Sequence, residues 1–545
     1  MLKKYLALLL ALCLVAGVLG GCGESTPEPT PTSTPTEVVG YTQDGAFTPY
    51  AETLTLTMLY ENNPGVTYVG DDSIENNVIT RFIKEKLNIA FDLSWQVDKG
   101  NYNTQLDLAI ASNTGLPDMF IVGKSQMYTL AAAGQIVDMG PYFEQYASDN
   151  LKQILSFNNN EGLESATLLG GTYALPLPND VGDGASMVFI RKDWLDKLNL
   201  EEPKTIDELI AVAQAFVDND MSGRGNTIGI GLANDLGFTF DVFCNAYGAY
   251  PDMWIEDESG QLVYGSVQPE MKQGLQKLQE LYQKGLIHPE FAAQDNTRLA
   301  QYVAQGRLGI FIGPFWYNNN YIISNMNADP NAEWIAVNNL SENEDTDVSS
   351  RAWNTTYRWL AVNSNCGNPE AAVKLLNLWY EIWQGEYSEW FWDLQMSEEY
   401  YDIDLKTYSP VFFDPPLKNT QMGVLLREAY ETGDTSKLNA EGMYAYSLMV
   451  NDVGSAMNRS AMLTWYGSFK NLNDTYESFT YDKYRGPEDI MFSTMDKTLH
   501  ELETRTFIAI ITGKDISEFD KFVQEWNNTG GQVLTQQVNT WAASQ

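Results

Sequence analysis

The first 180 residues alternate between two patterns of apolar and polar positions. Residues 53–59 (TLTLTML) alternate with the period of two that is typical of a half-buried strand, and similar segments predict strands over 91–97 and 117–122. Residues 73–89 and 103–115 instead carry apolar side chains at the spacing of a helix. Strands that alternate with helices in this way predict βαβ units and a mostly parallel sheet.

A break in this alternation follows at residues 170–180 (GGTYALPLPND). A new strand is predicted from residue 185 (ASMVFIRKDWL), so we interpret 176–184 as a segment that crosses between two lobes. A later helix is predicted to begin at Thr205, whose hydroxyl can cap it. The predicted elements beyond the crossing are helices over 205–220, 271–286 and 369–383, strands over 307–313 and 357–365, and two helices within 515–544 that are joined at Gly530-Gly531.

The size and charge of the chain restrict its class. A chain of 545 residues with 44% hydrophobic content is too large to pack around one compact core, so we expect at least two domains. The 72 acidic and 33 basic residues give a net charge of −39. The electric field of this negative charge repels nucleic acid and other polyanions and favours neutral or cationic ligands. The alternative is that the acidic residues only keep the protein soluble. We therefore expect no nucleic-acid partner.

The amino terminus has the pattern of a secretory signal. Two lysines precede a run of roughly a dozen apolar residues that ends in Leu19-Gly20-Gly21-Cys22 and is too short to span a bilayer. This ending resembles the bacterial lipobox, which predicts a signal peptide over 1–21 and lipidation of Cys22. Residues 22–50 would then be a disordered tether, since 25–37 are rich in Pro, Ser and Thr. The alternative is an ordinary secreted protein.

Two scarce residue types limit the available chemistry. The only histidines are His288 and His500, which argues against zinc sites built on histidine. Beyond the amino-terminal region the only cysteines are Cys244 and Cys366, far apart in sequence. We expect both to pack as small buried hydrophobes.

Polar side chains follow two of the predicted strands. In open α/β sheets, ligands bind beyond the carboxyl ends of the strands. Tyr60, Glu61 and Asn62 follow the first strand, and Lys124 follows the third. Asp180 lies at the crossing. These five residues are candidates for ligand binding, with a solvated surface position as the alternative for each polar one.

Aromatic side chains supply the remaining candidates. An aromatic ring can cover the apolar face of a sugar while nearby polar groups bind its hydroxyls. Trp316 and Tyr317 follow the strand at 307–313, and Trp353 and Trp465 lie in loop-like segments. Four other tryptophans fall on apolar helix faces and are expected in the core, namely Trp379, Trp383, Trp526 and Trp541.

The order of these segments resembles the extracellular solute-binding proteins of ABC importers, specifically the large lipoprotein branch of the sugar-binding class that includes maltose-binding proteins. The resemblance is carried by residues 106–122, 168–177, 190–216, 305–317 and 518–541. It implies a two-lobed α/β fold of the periplasmic-binding-protein type II class, in which each lobe is a mostly parallel sheet flanked by helices, with extra C-terminal helices.

The resemblance also implies a division of the chain and a function. The first lobe would comprise 51–178 and about 338–405, and the second 179–337 and about 406–545. A ligand would bind in the cleft, with a sugar stacking on Trp316, and would pass to permease subunits without catalysis. The protein would be a monomer that a lipid anchors to the outer face of the membrane of a Gram-positive-type bacterium.

Residues 218–229 (DNDMSGRGNTIG) match the first half of a calcium-binding EF-hand loop. Alginate-binding relatives have a calcium loop at this place. Gly229 stands where a bidentate glutamate is required, so a structural Ca²⁺ site and an ordinary glycine-rich turn are both open. The candidate ligands are the side chains of Asp218, Asp220, Ser222 and Asn226 and the carbonyl of Arg224.

The expected ligand is an oligosaccharide, and the acidity of the chain favours a neutral one. Two other functions stay open at this point. A peptide-binding receptor would also use aromatic and acidic side chains, and a surface glycosidase would need two carboxylates across a scissile bond.

Overall fold

The computed structural model describes residues 45–62, 65–98, 100–112, 115–337, 340–343, 348–401 and 403–545. The signal peptide, Cys22 and the tether up to residue 44 lie outside the described residues. The prediction that the tether extends to residue 50 is wrong, because Tyr50 is buried and its hydroxyl donates to Glu370 Oε1 at 2.8 Å. Within the described ranges, no helix combines the length and the apolar character that a bilayer crossing requires.

Short strands build two main sheets and two hairpins. The strands are β1 (Leu54–Asn62), β2 (Ile89–Asp98), β3 (Met119–Val122), β4 (Thr167–Leu168), β5 (Gly171–Thr172), β6 (Leu175–Pro176), β7 (Met187–Arg191), β8 (Ile228–Ile230), β9 (Trp254–Glu256), β10 (Leu262–Tyr264), β11 (Leu308–Gly313), β12 (Trp334–Val337) and β13 (Trp359–Val362).

Helices cover both sheets and form most of the C-terminal half. They are α1 (Val78–Leu87), α2 (Tyr102–Ser112), α3 (Lys124–Ala132), α4 (Gly140–Tyr146), α5 (Asp149–Leu155), α6 (Phe157–Ala166), α7 (Lys192–Leu198), α8 (Ile206–Asp218), α9 (Gly237–Asn245), α10 (Met271–Gln283), α11 (Asn296–Ala304), α12 (Ile323–Ala328), α13 (Glu370–Trp383), α14 (Ser388–Gln395), α15 (Lys418–Thr432), α16 (Ala440–Val450), α17 (Ala456–Ala461), α18 (Phe469–Thr475), α19 (Ile490–Ile511), α20 (Glu518–Trp526) and α21 (Gln532–Ala542).

The first lobe is built on a five-stranded sheet with the order β2-β1-β3-β13-β6. Strand β1 runs parallel to β2 and β3, as the βαβ pattern predicted. Strand β13 is antiparallel to both β3 and β6. It enters the sheet after the chain has returned from the second lobe, which reverses its direction.

The second lobe is built on a four-stranded sheet with the order β12-β7-β11-β8. Only β8 and β11 are parallel neighbours, whereas β7 is antiparallel to β11 and β12. The α/β class is confirmed, and three of the four strands run in the same direction, with β7 alone reversed. Strand β7 begins at the crossing and runs away from it, while β12 runs back towards it, so the two must be antiparallel. The predicted strand from residue 185 also ends early, because Lys192 begins α7.

Apolar cores lie on both faces of each sheet. In the first lobe, Leu56 and Leu360 of the sheet pack with Trp379 and Trp383 of α13. In the second lobe, residues of α19, α20 and α21 join the core of the sheet, and Trp526 is fully buried among them. The extra C-terminal helices therefore belong to the second lobe.

Several smaller expectations hold in the described structure. Cys244 and Cys366 are both buried and free. Trp541 packs against the second-lobe core from a partly buried position. Helices α15 to α18 contact elements of both lobes, since α16 packs on α14 and α17 packs on α12. The residue boundaries of the two lobes stay a prediction.

Thr205 caps α8 through a reciprocal pair of hydrogen bonds. The Glu208 amide donates to Thr205 Oγ1 at 3.2 Å, and the Thr205 amide donates to Glu208 Oε2 at 3.3 Å. These bonds satisfy amides that the first turn of a helix leaves without partners.

We expect Thr205→Ala to lower the free energy of unfolding by about 1 kcal/mol, because the capping acceptor is lost. Urea-induced unfolding followed by tryptophan fluorescence measures this change. The matched control is Thr205→Ser, which keeps the hydroxyl and should retain most of the stability. Equal losses in both variants would show that the methyl group, and not the cap, stabilises this site.

Candidate functional site

Two of the segments that join the lobes, residues 177–186 and 348–358, lie side by side, and helices α15 to α18 make the later connection from the first lobe to α19 of the second lobe. The two segments run antiparallel, and the Asn179 amide donates to the Thr355 carbonyl at 2.9 Å. Because the backbones are bonded to each other, side chains from both segments are brought to the same place between the sheets.

A further segment of the chain pairs with residues 348–358 at Thr480. The Ala352 amide donates to the Thr480 carbonyl at 3.0 Å, and the Thr480 amide donates to the Ser350 carbonyl at 2.9 Å. The region after Thr480 is thereby placed next to the crossing.

A cavity of about 850 Å³ opens beside the crossing segments. It is lined by four parts of the chain, which are distant in sequence. These parts are the two crossing segments, the β9–β10 hairpin and residues 482–496, and single side chains join them from α3, α6, α9 and the loop after β11.

Trp353 presents an exposed aromatic face to the cavity, with 48% of its surface accessible. The guanidinium carbon of Arg351 lies 4.2 Å from the centroid of the Trp353 ring, which holds the ring from one side. Gly184 lies against Trp353, and a Cβ atom at position 184 would come within 2.6 Å of Trp353 Cβ. A residue without a side chain is needed for this close approach.

Arg351 is held by two carboxylates beneath the cavity. Its Nη1 atom lies 2.9 Å from Asp241 Oδ1, and its Nη2 atom lies 3.5 Å from Asp252 Oδ2. Arg351 and Asp241 are both buried, so each charge depends on the other for compensation. The positive charge of Arg351 is therefore already neutralised by the protein.

Two more aromatic residues line the cavity. Tyr357, on the second crossing segment, is 65% exposed. Trp316, in the loop after β11, packs edge-on against Tyr317 with ring centroids 4.8 Å apart. Together with Trp353, these rings give the cavity several apolar surfaces.

Asp180 stands at the crossing but is fully engaged by the backbone. Its Oδ1 atom accepts from the Gly182 amide at 2.9 Å, and its Oδ2 atom accepts from the Asn419 amide at 2.9 Å. Burial, together with the neighbouring Asp183, raises the pKa of Asp180 to about 8. Its side chain fixes the first crossing segment against α15.

The rest of the lining is rich in carboxylates. Burial raises the pKa of Asp183 to about 6 and that of Asp482 to about 6. Burial and the nearby charge of Asp252 raise the pKa of Asp496 to about 7. The remaining acidic side chains of the lining are those of Asp252 and Glu488.

Lys124 and Arg351 are the two cationic side chains of the lining within the described residues. Lys124 Nζ lies 3.1 Å from Glu488 Oε1 and also donates to the Tyr484 carbonyl at 3.3 Å. Both cations are thus paired with acidic partners of the protein, and the lining has an excess of negative charge.

The structure brings four of the nine sequence candidates together at the cavity, Lys124, Asp180, Trp316 and Trp353. The other five lie outside its lining. Tyr317 is only 2% exposed, because its ring packs over Gly313 and against Phe311.

The remaining candidates lie at two other places. Glu61 and Asn62 are exposed at the end of β1, and Tyr60 packs against the first-lobe core. Trp465 packs on Phe469, with ring centroids 4.9 Å apart. Ligand contact by these residues stays a prediction.

Sequence reasoning missed the residues that the β9–β10 hairpin and 482–496 contribute. Asp252, Trp254, Tyr484 and Asp496 fall in segments without a recognisable spacing. The only local signal is Gly486-Pro487 before a long helix, flanked by charged and aromatic side chains.

The loop at 218–229 forms a closed turn around Asp220. Its Oδ2 atom accepts from the Gly225 amide at 2.7 Å, and its Oδ1 atom accepts from the hydroxyls of Thr227 at 2.9 Å and Ser222 at 3.0 Å. These hydrogen bonds, led by that of Gly225, lower the pKa of Asp220.

The other predicted ligands do not complete a cation site. Asp218 accepts from Gln214 Nε2 at 2.8 Å, within α8. The Arg224 amide donates to Ser222 Oγ at 3.3 Å, and Ser222 Oγ lies 3.3 Å from Asn226 Oδ1. No group of three or more His, Cys, Asp or Glu side chains converges in the described ranges. Calcium requires six or more oxygens, so the residues as folded do not fit the ion.

Comparison with known proteins gives a family and several relatives. A family model described as bacterial extracellular solute-binding protein matches residues 69–381, more than half of the chain. The polygalacturonan/rhamnogalacturonan-binding protein YtcQ of Bacillus subtilis (strain 168) is 28% identical over 236 residues, 42% of this chain and 45% of that protein.

Two further relatives are similar over comparable lengths. The fructooligosaccharide ABC transporter substrate-binding protein FusA of Streptococcus pneumoniae serotype 4 (strain ATCC BAA-334 / TIGR4) is 28% identical over 313 residues, 53% of this chain and 55% of that protein. Lipoprotein LipO of Bacillus subtilis (strain 168) is 27% identical over 229 residues, 40% of this chain and 43% of that protein. The chain spans about half the length of the curated relatives it matches.

Solved structures share the fold over most of the chain. An HMO-binding solute-binding protein from Bifidobacterium longum infantis ATCC 15697 has a TM-score of 0.62 at 16% identity, covering 90% of this chain and 98% of its own. The alginate-binding protein AlgQ2 without calcium ion has a TM-score of 0.59 at 17% identity, covering 90% of this chain and 98% of its own. At these identities the likeness shows the fold alone, a two-lobed mixed α/β architecture.

We expect the midpoint of thermal unfolding to be the same in excess Ca²⁺ as in the presence of a chelator, because hydrogen bonds already occupy the Asp220 oxygens. We also expect Asp220→Ala to lower that midpoint, since three hydrogen bonds within the turn are lost. Differential scanning calorimetry measures both effects. Asp218→Ala is the control, and a rise of several degrees with Ca²⁺ would show that the loop rearranges around the ion.

Proposed function

The chain belongs to the bacterial extracellular solute-binding protein family, and from this premise we propose that it is the substrate-binding lipoprotein of an ABC importer. It would capture an oligosaccharide in the cavity at the crossing, close around it and deliver it to permease subunits as a monomer. The observation that carries this proposal is the pair of exposed aromatic faces, Trp353 and Tyr357, within a lining rich in carboxylates.

The chemistry of this lining suits a sugar. The face of a pyranose is apolar and can stack on an aromatic ring, while its hydroxyls donate hydrogen bonds to carboxylates. A cavity of about 850 Å³ is near the upper end of the range for small-molecule sites. Its size supports a ligand of more than one sugar unit.

The charge of the lining supports a neutral glycan. An acidic sugar would need an unpaired cation, and both Lys124 and Arg351 are paired with carboxylates of the protein. YtcQ is described as binding polygalacturonan and rhamnogalacturonan. We propose that the present chain differs from YtcQ in this respect.

A peptide receptor is the second candidate function. The excess of carboxylates over cations in the lining would also attract a basic peptide. A glycosidase is the least favoured candidate, because the family that the chain belongs to is described as extracellular solute-binding proteins. A panel of ligands separates these functions.

The panel contains neutral oligosaccharides, such as kestose and lacto-N-biose, and the acidic oligogalacturonate. We expect at least one neutral oligosaccharide to bind at least tenfold more tightly than oligogalacturonate, because the lining repels carboxylates. Isothermal titration calorimetry on the panel measures this. Trp353→Ala should weaken the binding of that ligand by roughly tenfold or more, since it removes the stacking surface.

Tyr430→Ala is the matched control, because Tyr430 is an exposed aromatic residue outside the lining. Binding of basic peptides alone would overturn the sugar proposal. Release of shorter glycans during the titration, detected by chromatography, would show that the protein is a glycosidase and not a receptor.

We further propose that Cys22 carries the lipid that holds the protein at the outer face of the cell membrane. LipO, a relative over part of the chain, is described as a lipoprotein. Two acyl chains anchor a protein stably, whereas one chain is marginal.

We expect Cys22→Ser to move the protein from the membrane fraction into the medium when it is expressed in a Gram-positive host, because the thioether cannot form. Immunoblotting of the two fractions measures the distribution. Cys13→Ser is the control, since it leaves the predicted modification site intact. Retention of Cys22→Ser in the membrane fraction would contradict the lipid anchor.

A further inference from the structure

Residues 480–488, here called the bridging segment, are fixed to the second lobe on one side. The Tyr484 ring is buried in the second-lobe core, 5.2 Å from the ring of Phe492 and 5.3 Å from that of Trp541. The Lys483 amide donates to the Trp254 carbonyl at 2.9 Å. The segment therefore moves with the second lobe.

Gly486 holds the backbone of the bridging segment close to this core. A Cβ atom at position 486 would lie 2.4 Å from Tyr484 Cε2 and 2.7 Å from Trp541 Cγ. The neighbouring Arg485 is therefore carried on a backbone whose position the second lobe fixes.

The other side of the bridging segment reaches the first lobe through two ion pairs. Arg485 Nη1 lies 2.5 Å from Glu164 Oε2 on α6, and Lys124 of α3 pairs with Glu488. Arg485 also donates to the Asn159 carbonyl at 3.5 Å. Asn159 lies in a left-handed turn, with φ of 58°, at the start of α6.

The Arg485–Glu164 pair is sheltered from solvent. Its side chains are 11% and 33% exposed, so water screens their attraction less than it screens an ordinary surface pair. Neither residue lines the cavity, although Asp482, Tyr484 and Glu488 of the same segment do. The pair can therefore act on a ligand only through the position of the bridging segment.

We propose that Arg485 and Glu164 are positioning residues that tie the bridging segment to the first lobe and so set the width of the cavity. Separation of the lobes requires this ion pair to break. The pair favours the arrangement in which the carboxylates of the bridging segment and the aromatic side chains of the second crossing segment face one ligand. The effect on ligand affinity rests on the proposed function, whereas the effect on the shape of the ligand-free protein does not.

The test uses Arg485→Ala, Glu164→Gln and the charge-exchanged pair Arg485→Glu with Glu164→Arg. In ligand-free protein, small-angle X-ray scattering is expected to give a larger radius of gyration for each single variant than for the wild type. The charge-exchanged pair is expected to restore the wild-type radius. High salt should enlarge the wild type more than Arg485→Ala, in which only the Lys124–Glu488 pair is left to screen between the bridging segment and the first lobe.

For the oligosaccharide that the wild type binds, each single variant is expected to weaken affinity by roughly three- to tenfold, mainly through faster dissociation, and the charge-exchanged pair to restore it. The matched control is Lys272→Ala, which breaks the Lys272–Asp520 pair at 2.7 Å within the second lobe. It should change neither the radius nor the affinity.

Equal radii for the wild type and both single variants would overturn the proposal, and so would a charge-exchanged pair that stays as expanded as the single variants. Circular dichroism of each variant establishes that it is folded, and Glu164→Gln, which keeps the size of the side chain, serves if Arg485→Ala does not fold. A wild type that binds no oligosaccharide would refute the proposed function alone, because the scattering comparison needs no ligand.

Discussion

The backbone hydrogen bonds between the two crossing segments are the constraint on which the site depends. The bond from the Asn179 amide to the Thr355 carbonyl fixes the register of the two segments, and Thr480 pairs with the outer side of the second one. This register places Gly184 of the first segment against Trp353 of the second. Residues from distant parts of the chain thereby share one cavity, while each lobe keeps its own apolar core on either side.

Charge is distributed unevenly around this constraint. The protein carries a net charge of −39. The lining of the cavity is also negatively charged, because its two cations are already paired with carboxylates. Burial raises the pKa of Asp180 to about 8 and contributes to raising that of Asp496 to about 7, so these two carboxyls carry less charge at neutral pH than ordinary ones. Backbone amides occupy Asp180, whereas a partly protonated Asp496 can both donate and accept a hydrogen bond, which suits the hydroxyls of a sugar.

Local sequence patterns predicted the first lobe well, because its β1–α1–β2–α2–β3 order follows directly from apolar periodicity. They did not predict that β7 and β13 are reversed, since periodicity shows which face is buried and not which way a strand runs. At the site, Lys124 and Trp316 were predicted from their places after strands, Asp180 from its place at the crossing, and Trp353 from its loop-like segment. The sequence did not show that Tyr317 is buried while Trp316 lines the cavity, because adjacent side chains point in different directions and only the fold decides which is buried. Residues 482–496 reach the cavity through tertiary packing alone, which no local pattern encodes.

Gly184 shows how the shape of a binding surface can depend on a residue that offers a ligand no side-chain atoms. Because a Cβ atom at this position would overlap Trp353, the indole keeps its orientation only while codon 184 encodes glycine. Replacement of Gly184 by a residue with a side chain would displace the indole and leave every ligand-facing side chain chemically intact. Inherited variation in specificity among members of this family can therefore arise at positions that an inventory of contact residues would omit.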